Sequence, residues 1–188
     1  SNNHIKFFRG SENDVLDRYY HCAKKYNSEI IVRVTADDPF VDYKLIDYSI
    51  DKLISNQTLD YVSNTIKPTY PFGLDIESFK FSALEKAFID STLESDREHV
   101  TPYIWRNDKI FNLYNFINNI DYSHLRWTID EQEDLDFATE VFNQLYNNKK
   151  DFLMDDIIKL TNEQKWINDL LLDNKRNEAY NEQIEKES

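Results

Sequence analysis

Three acids in this sequence have the setting that chemistry needs. Asp37 and Asp38 follow an apolar run and precede Pro39, and Asp130 closes a second run, Leu125-Arg126-Trp127-Thr128-Ile129. Residues 30–34 are β-branched and apolar around Arg33, the composition of a buried strand in a parallel sheet. The polar turn after them ends at Pro39, which disfavours helix at the residue before it. Asp37 and Asp38 therefore stand just past the carboxyl end of a strand, and Asp130 stands past another. Open α/β sheets bind ligands at that end of the strands. If the two strands are neighbours, the Asp37 and Asp130 carboxylates converge and can hold one divalent cation against phosphates. A plainer reading makes Asp38-Pro39 an ordinary turn and Asp130 one of several acids favoured at a helix start.

Other polar groups cluster around this pair. In residues 74–79, Leu74, Ile76 and Ser78 alternate with Asp75, Glu77 and Phe79, so Asp75 and Glu77 share a strand face. That face is either the solvated side of an edge strand or an acceptor pair for sugar hydroxyls or a cation. Asp96-Arg97-Glu98-His99 packs two acids, a guanidinium and an imidazole into four positions ahead of Pro102. We expect it to face a substrate pocket; a solvated helix start is the plainer alternative. His21 has no second ligand at helical spacing and reads as an ordinary, partly buried residue.

The elements that must position these groups alternate. Residues 11–26 form a helix with an apolar stripe (Val15, Tyr19, Cys22, Tyr26). Strand 30–34 is followed by a helix capped by Asp42 and running to about 55, then by a short strand at 61–64. Pro68, Pro71 and Gly73 fix the path of the loop 65–73. Ser82 and Glu85 predict a capping box for a helix over 83–91. Strands are expected at 110–116 and 125–129, and helices after Asp130, at 155–160 and at 163–172. This order signals a parallel sheet with crossover helices. We expect one domain over 1–172 and a polar tail over 173–188.

Composition removes several function classes. The net charge of −13 over 188 residues argues against nucleic acid and anionic membrane surfaces as partners. Two glycines, Gly10 and Gly73, cannot build a Gly-rich phosphate loop. No run is long and apolar enough to span a membrane, and no signal peptide is expected. The single Cys22 forms no internal disulfide, and a cytoplasmic setting is expected. Ser1, not Met, opens the chain, which leaves room for native residues ahead of it.

Six blocks carry a resemblance. They are Phe8-Arg9-Gly10-Ser11-Glu12-Asn13-Asp14, Val32-Arg33-Val34-Thr35-Ala36-Asp37-Asp38-Pro39-Phe40, Asp60-Tyr61-Val62-Ser63-Asn64-Thr65, Gly73-Leu74-Asp75-Ile76-Glu77, Asp96-Arg97-Glu98-His99-Val100-Thr101-Pro102-Tyr103 and Arg126-Trp127-Thr128-Ile129-Asp130. Together they resemble the cytidylyltransferase family of CMP-sugar-acid synthetases, and its SpsF-like spore-coat polysaccharide branch above all. The resemblance implies a three-layer α/β/α sandwich with a mostly parallel sheet, the nucleotide-diphospho-sugar transferase (GT-A-like) fold. It implies Mg²⁺-dependent conversion of CTP and a sugar acid to CMP-sugar and pyrophosphate, for surface polysaccharide synthesis. Asp37 and Asp130 match the positions at which the family holds Mg²⁺. Thr35 and Asp38 lie beside them as substrate contacts. Arg97 and Arg126 suit anionic groups, because guanidinium pairs bidentately with carboxylate and phosphate. Asn64, Asp75, Glu77 and His99 would line the acceptor side. The family's amino-terminal block, Ala-Arg-x-x-Ser-x-Arg-Leu-Pro-x-Lys, does not occur in this sequence. We therefore expect a parent protein with a strand, a basic loop and a helix ahead of residue 1. A glycosyltransferase on the same fold and a non-catalytic assembly module are the alternatives. A homodimer is compatible with everything above.

Overall fold

The structure, a computed structural model, describes residues 5–171; the expected tail at 173–188 lies outside the described residues. Seven α-helices and four strands make up this span. In order they are α1 (Val15–Tyr26), β1 (Ile30–Arg33), α2 (Tyr43–Ser55), β2 (Tyr61–Ser63), β3 (Glu77–Lys80), α3 (Phe81–Asp90), α4 (Glu94–His99), α5 (Pro102–Arg106), β4 (Leu113–Asn115), α6 (Gln132–Leu145) and α7 (Met154–Glu163). A 3₁₀ turn at Lys165–Leu170 stands where a last helix was expected. Among these residues no helix is long and apolar enough to cross a membrane.

The sheet order is β1-β3-β2-β4. β2 and β4 pair in parallel, while β3 pairs antiparallel with both β1 and β2. Three of the four strands thus run one way, and their carboxyl ends share one end of the sheet. β3 is the exception, and it lies between β1 and β2. Successive strand residues face opposite sides. Val62 points into a core with Leu53, Leu74, Ile76, Trp127 and Phe137, contributed by α2, α6 and the loops. Tyr61 points into a second core with Leu16, Tyr20, Phe79 and Leu84, contributed by α1, β3 and α3. Helices therefore cover both faces, which makes the three layers of an α/β/α sandwich.

Side-chain caps account for the starts of α1 and α2. Asp14 accepts from the Asp17 N–H at 2.9 Å and caps α1. Asp42 accepts from the Lys44 N–H at 2.8 Å and caps α2. Such caps satisfy amide groups that a helix start leaves without partners. The Ser82–Glu85 capping box does not form: α3 starts at Phe81 without a side-chain cap, and Glu85 instead accepts from the Tyr20 hydroxyl at 3.2 Å.

Residues 125–129 are extended but add no strand to the sheet. Their one ladder contact is a parallel bridge between Phe72 and Arg126. The Phe72 N–H donates to Leu125 C=O at 2.8 Å, and the Trp127 N–H donates to Phe72 C=O at 2.7 Å. The Ile129 N–H goes elsewhere, to the Asp37 carbonyl. Gly73 permits the close approach of the two segments. It has φ +103°, and a Cβ there would stand 2.8 Å from the Trp127 carbonyl carbon. Only glycine takes that conformation and that contact together without strain.

Candidate functional site

The Asp37 turn is anchored at both ends. β1 ends at Arg33, and after the turn the Phe40 ring packs edge-on against Trp127 and Phe137 in the core. Inside the turn the Thr35 hydroxyl donates to Asp38 Oδ2 at 2.8 Å. Asp38 is buried, whereas Asp37 is half-buried and its carboxylate takes no hydrogen bond among the described residues. Burial pushes the Asp38 carboxyl up to about 6, the Thr35 hydroxyl opposes that rise, and Asp37 and Asp75 add to it; Arg33 opposes it further. Asp37, Asp38 and Asp75 thus share one field at the carboxyl end of β1, with Arg33 as their counter-charge.

Asp130 opens the arm that leads into α6. Its Oδ2 accepts from Arg126 Nη2 at 2.7 Å and from the Thr128 hydroxyl at 3.0 Å. Behind it lies Asp134, 2 % exposed. One oxygen of Asp134 accepts from the Asp130 N–H at 2.9 Å, the Glu131 N–H at 3.0 Å and Arg126 Nη2 at 2.8 Å. Burial alone would raise the Asp134 carboxyl, but the Arg126 guanidinium and the two amide donors outweigh it and hold the group below its ordinary value. Asp134 was not among the residues singled out from the sequence. Its signal was its place three residues after Glu131, where a carboxylate reaches back to cap the helix start.

The two arms meet through the backbone. The Ile129 N–H donates to the Asp37 carbonyl at 2.9 Å, which lays the Asp37 turn alongside the residue before Asp130. Among the described residues no three or more His, Cys, Asp or Glu side chains converge as a metal cage. An Asp37–Asp130 pair offers hard carboxylate oxygens on adjoining loops. That donor set fits Mg²⁺, which uses one or two carboxylates and completes its shell with phosphate oxygens and water.

Three expected substrate contacts have other partners in the structure. Glu77 is buried because β3 is an interior strand with helices on both faces, not an edge. Its carboxylate accepts from Arg33 Nη1 at 2.7 Å, the Tyr61 hydroxyl at 2.6 Å and the Thr101 hydroxyl at 2.5 Å. Arg33 and Glu77 face each other in the β1–β3 register, so the ion pair bridges two strands. Asn64 is 1 % exposed and spans a chain crossing: its amide donates to Leu74 C=O at 2.7 Å and accepts from the Ile76 N–H at 2.8 Å. Arg97 reaches across to α1. Its Nε donates to Asp14 Oδ2 at 2.8 Å, its Nη1 donates to Phe88 C=O at 2.9 Å, and the guanidinium lies 5.0 Å from the Phe88 ring centroid. These partners belong to α1 and α3 and not to the Asp37 or Asp130 arm. His99 is half-buried at the end of α4, and Asp75 is half-buried beside Asp38.

The junction after His99 is strained. Val100 has φ +74°, and the Thr101 N–H donates to His99 C=O at 2.9 Å, which closes a γ-turn. A β-branched residue in that region costs about 1–3 kcal/mol. The turn lets Val100 fill the second core while Thr101 delivers its hydroxyl to Glu77.

The cytidylyltransferase family profile matches residues 3–182. The chain belongs to the cytidylyltransferase family. Similar relatives include an uncharacterized protein, MJ1063, of Methanocaldococcus jannaschii, 39 % identical over 140 residues, 73 % of this chain and 56 % of that protein. The spore coat polysaccharide biosynthesis protein SpsF of Bacillus subtilis is 30 % identical over 162 residues, 84 % of this chain and 65 % of its own. A solved cytidylyltransferase from Leptospira borgpetersenii superposes with a TM-score of 0.82 at 35 % identity, covering 90 % of this chain and 69 % of that one. The chain therefore spans between half and two thirds of the length of these two sequence relatives.

Proposed function

We propose that this chain is the part of a cytidylyltransferase that holds the catalytic carboxylates, and that the protein activates a sugar acid as its CMP-sugar for surface polysaccharide synthesis. One observation carries the reading: the Ile129–Asp37 hydrogen bond, which sets the Asp37 and Asp130 arms side by side at the carboxyl end of the sheet. In the reaction a sugar hydroxyl oxygen attacks the α-phosphorus of CTP, the bond to the β-phosphate oxygen breaks, and the hydroxyl proton passes to solvent. Asp37 and Asp130 would hold Mg²⁺, whose positive charge would offset the negative charge of the triphosphate and the departing pyrophosphate. The chain's own contribution is positioning. Thr35 fixes Asp38 within the turn, and Arg126 and Thr128 fix Asp130. With Arg97, Glu77 and Asn64 engaged inside the protein, the acceptor side is narrower than the sequence suggests.

The test is incubation with CTP, Mg²⁺ and a panel of sugar acids, following pyrophosphate release and the mass of the CMP-sugar. Asp37→Asn and Asp130→Asn should each abolish turnover while the circular dichroism spectrum is unchanged. Full activity of either variant at limiting Mg²⁺ removes that residue from the site. Release of a sugar from a nucleotide sugar without pyrophosphate points to a glycosyltransferase, and tight CTP binding without turnover points to an assembly module.

A further inference from the structure

We propose that Arg126 is a positioning residue for Asp130, anchored by Asp134. This rests on the reading of Asp130 as a cation ligand. Arg126 Nη2 carries two hydrogens, and the structure uses both, one on Asp130 Oδ2 at 2.7 Å and one on Asp134 Oδ2 at 2.8 Å, while the buried Nε has no hydrogen-bond partner among the described residues. The side chain is only 12 % exposed. Asp134, 2 % exposed, cannot follow a moving guanidinium, because the same oxygen also takes the Asp130 and Glu131 N–H groups. The Arg126 backbone is equally fixed, since Phe72 bonds to the residue on each side of it and Gly73 packs against Trp127.

The consequence falls on Asp130. Its Oδ2 is held by Arg126 and by the Thr128 hydroxyl, while Oδ1 takes no hydrogen bond among the described residues. The carboxylate, half exposed, thus presents one oxygen outward in a set orientation. Hydrogen-bond partners of a metal-ligating carboxylate, as Arg126, anchored by Asp134, would be for Asp130, orient it, and their substitution typically costs about 10–100-fold in metal affinity. A guanidinium acting on substrate phosphate instead would matter only when the nucleotide is present.

The experiment is a titration of the ¹⁵N-labelled chain with Mn²⁺ alone, following paramagnetic broadening of the Asp37, Asp38, Ile129 and Asp130 amide signals. In the unaltered chain these amides should broaden first, and Asp130→Asn should remove the effect. Arg126→Lys keeps the charge but cannot bridge both carboxylates in the same plane. It should need at least about tenfold more Mn²⁺ for the same broadening, with amide dispersion preserved. Asp134→Asn should weaken binding likewise, and it reads the same clamp if Arg126→Lys fails to fold. Unchanged Mn²⁺ dependence in Arg126→Lys, with weaker CTP binding, overturns the proposal and returns Arg126 to the substrate. Absence of selective broadening in the unaltered chain overturns the cation reading of Asp37 and Asp130, and this inference with it.

Discussion

Glu77→Gln separates a structural carboxylate from a substrate-binding one. In the structure Glu77 is 5 % exposed and accepts from Arg33, Tyr61 and Thr101. The amide keeps the shape but removes the charge and turns two N–H donors toward groups that are themselves donors. Removing one partner of a buried ion pair typically costs about 3–5 kcal/mol, most of it the charge left behind. Arg33 retains 22 % side-chain exposure, so water relieves part of its loss and the low end applies, about 3 kcal/mol. The Tyr61 and Thr101 hydroxyls then bond a neutral acceptor instead of a carboxylate, adding about 1 kcal/mol. A total of about 3–4 kcal/mol is a large part of the stability of an ordinary domain, roughly 5–15 kcal/mol. In a domain of this size it should lower Tm by roughly 6–16 °C, read by thermal unfolding followed by circular dichroism. Replacing Arg33 by Met in the same chain should restore part of the loss, because the uncompensated charge goes with it. A Tm within about 2 °C of the unaltered chain, together with a raised KM for the sugar, would refute the argument and return Glu77 to the acceptor side.

Arg97→Ala should destabilise the chain by about 1–2 kcal/mol through loss of the Asp14 pair and the Phe88 contacts, and leave the KM of nucleotide and sugar unchanged. Urea unfolding beside steady-state kinetics checks it, and a raised sugar KM at unchanged stability contradicts it. Asp38 predicts a pH dependence. Its folded carboxyl lies at about 6 against an ordinary 3.8, so the native state holds the proton more tightly than the unfolded chain does. Stability should therefore fall as pH rises through that window and level off above it. Asp38→Asn should gain on the order of 1–2 kcal/mol at neutral pH, with the gain vanishing toward the lower end of the window. A variant curve parallel to that of the unaltered chain across the window removes Asp38 as its origin.

Local patterns in the sequence were enough for the helices α1, α2 and α6, for the strands that begin at Ile30 and Tyr61, and for Asp37 and Asp130 as the acids past the ends of apolar runs. These features repeat with the geometry of the backbone itself, at helical spacing or alternately along a strand, so a few neighbouring residues suffice to state them. The family blocks were legible for the same reason, since each is a short contiguous run. The partner of each charge was decided elsewhere. Asp75 and Glu77 alternate as they would on an edge strand, yet β3 inserts between β1 and β2, and Glu77 meets Arg33 from 44 positions away. Arg97 reads as a substrate cation beside His99 until the chain path brings Asp14, 83 positions earlier, against it. Residues 125–129 have the composition of a strand but spend their amides on Phe72 and Asp37, so they tie two loops together and extend no ladder. Strand order and loop path arise from contacts between segments distant in the chain, and no local periodicity encodes which segments those are; that is why the sequence named the carboxylates and only the tertiary structure determined which partners Glu77, Asp130 and Asp134 have.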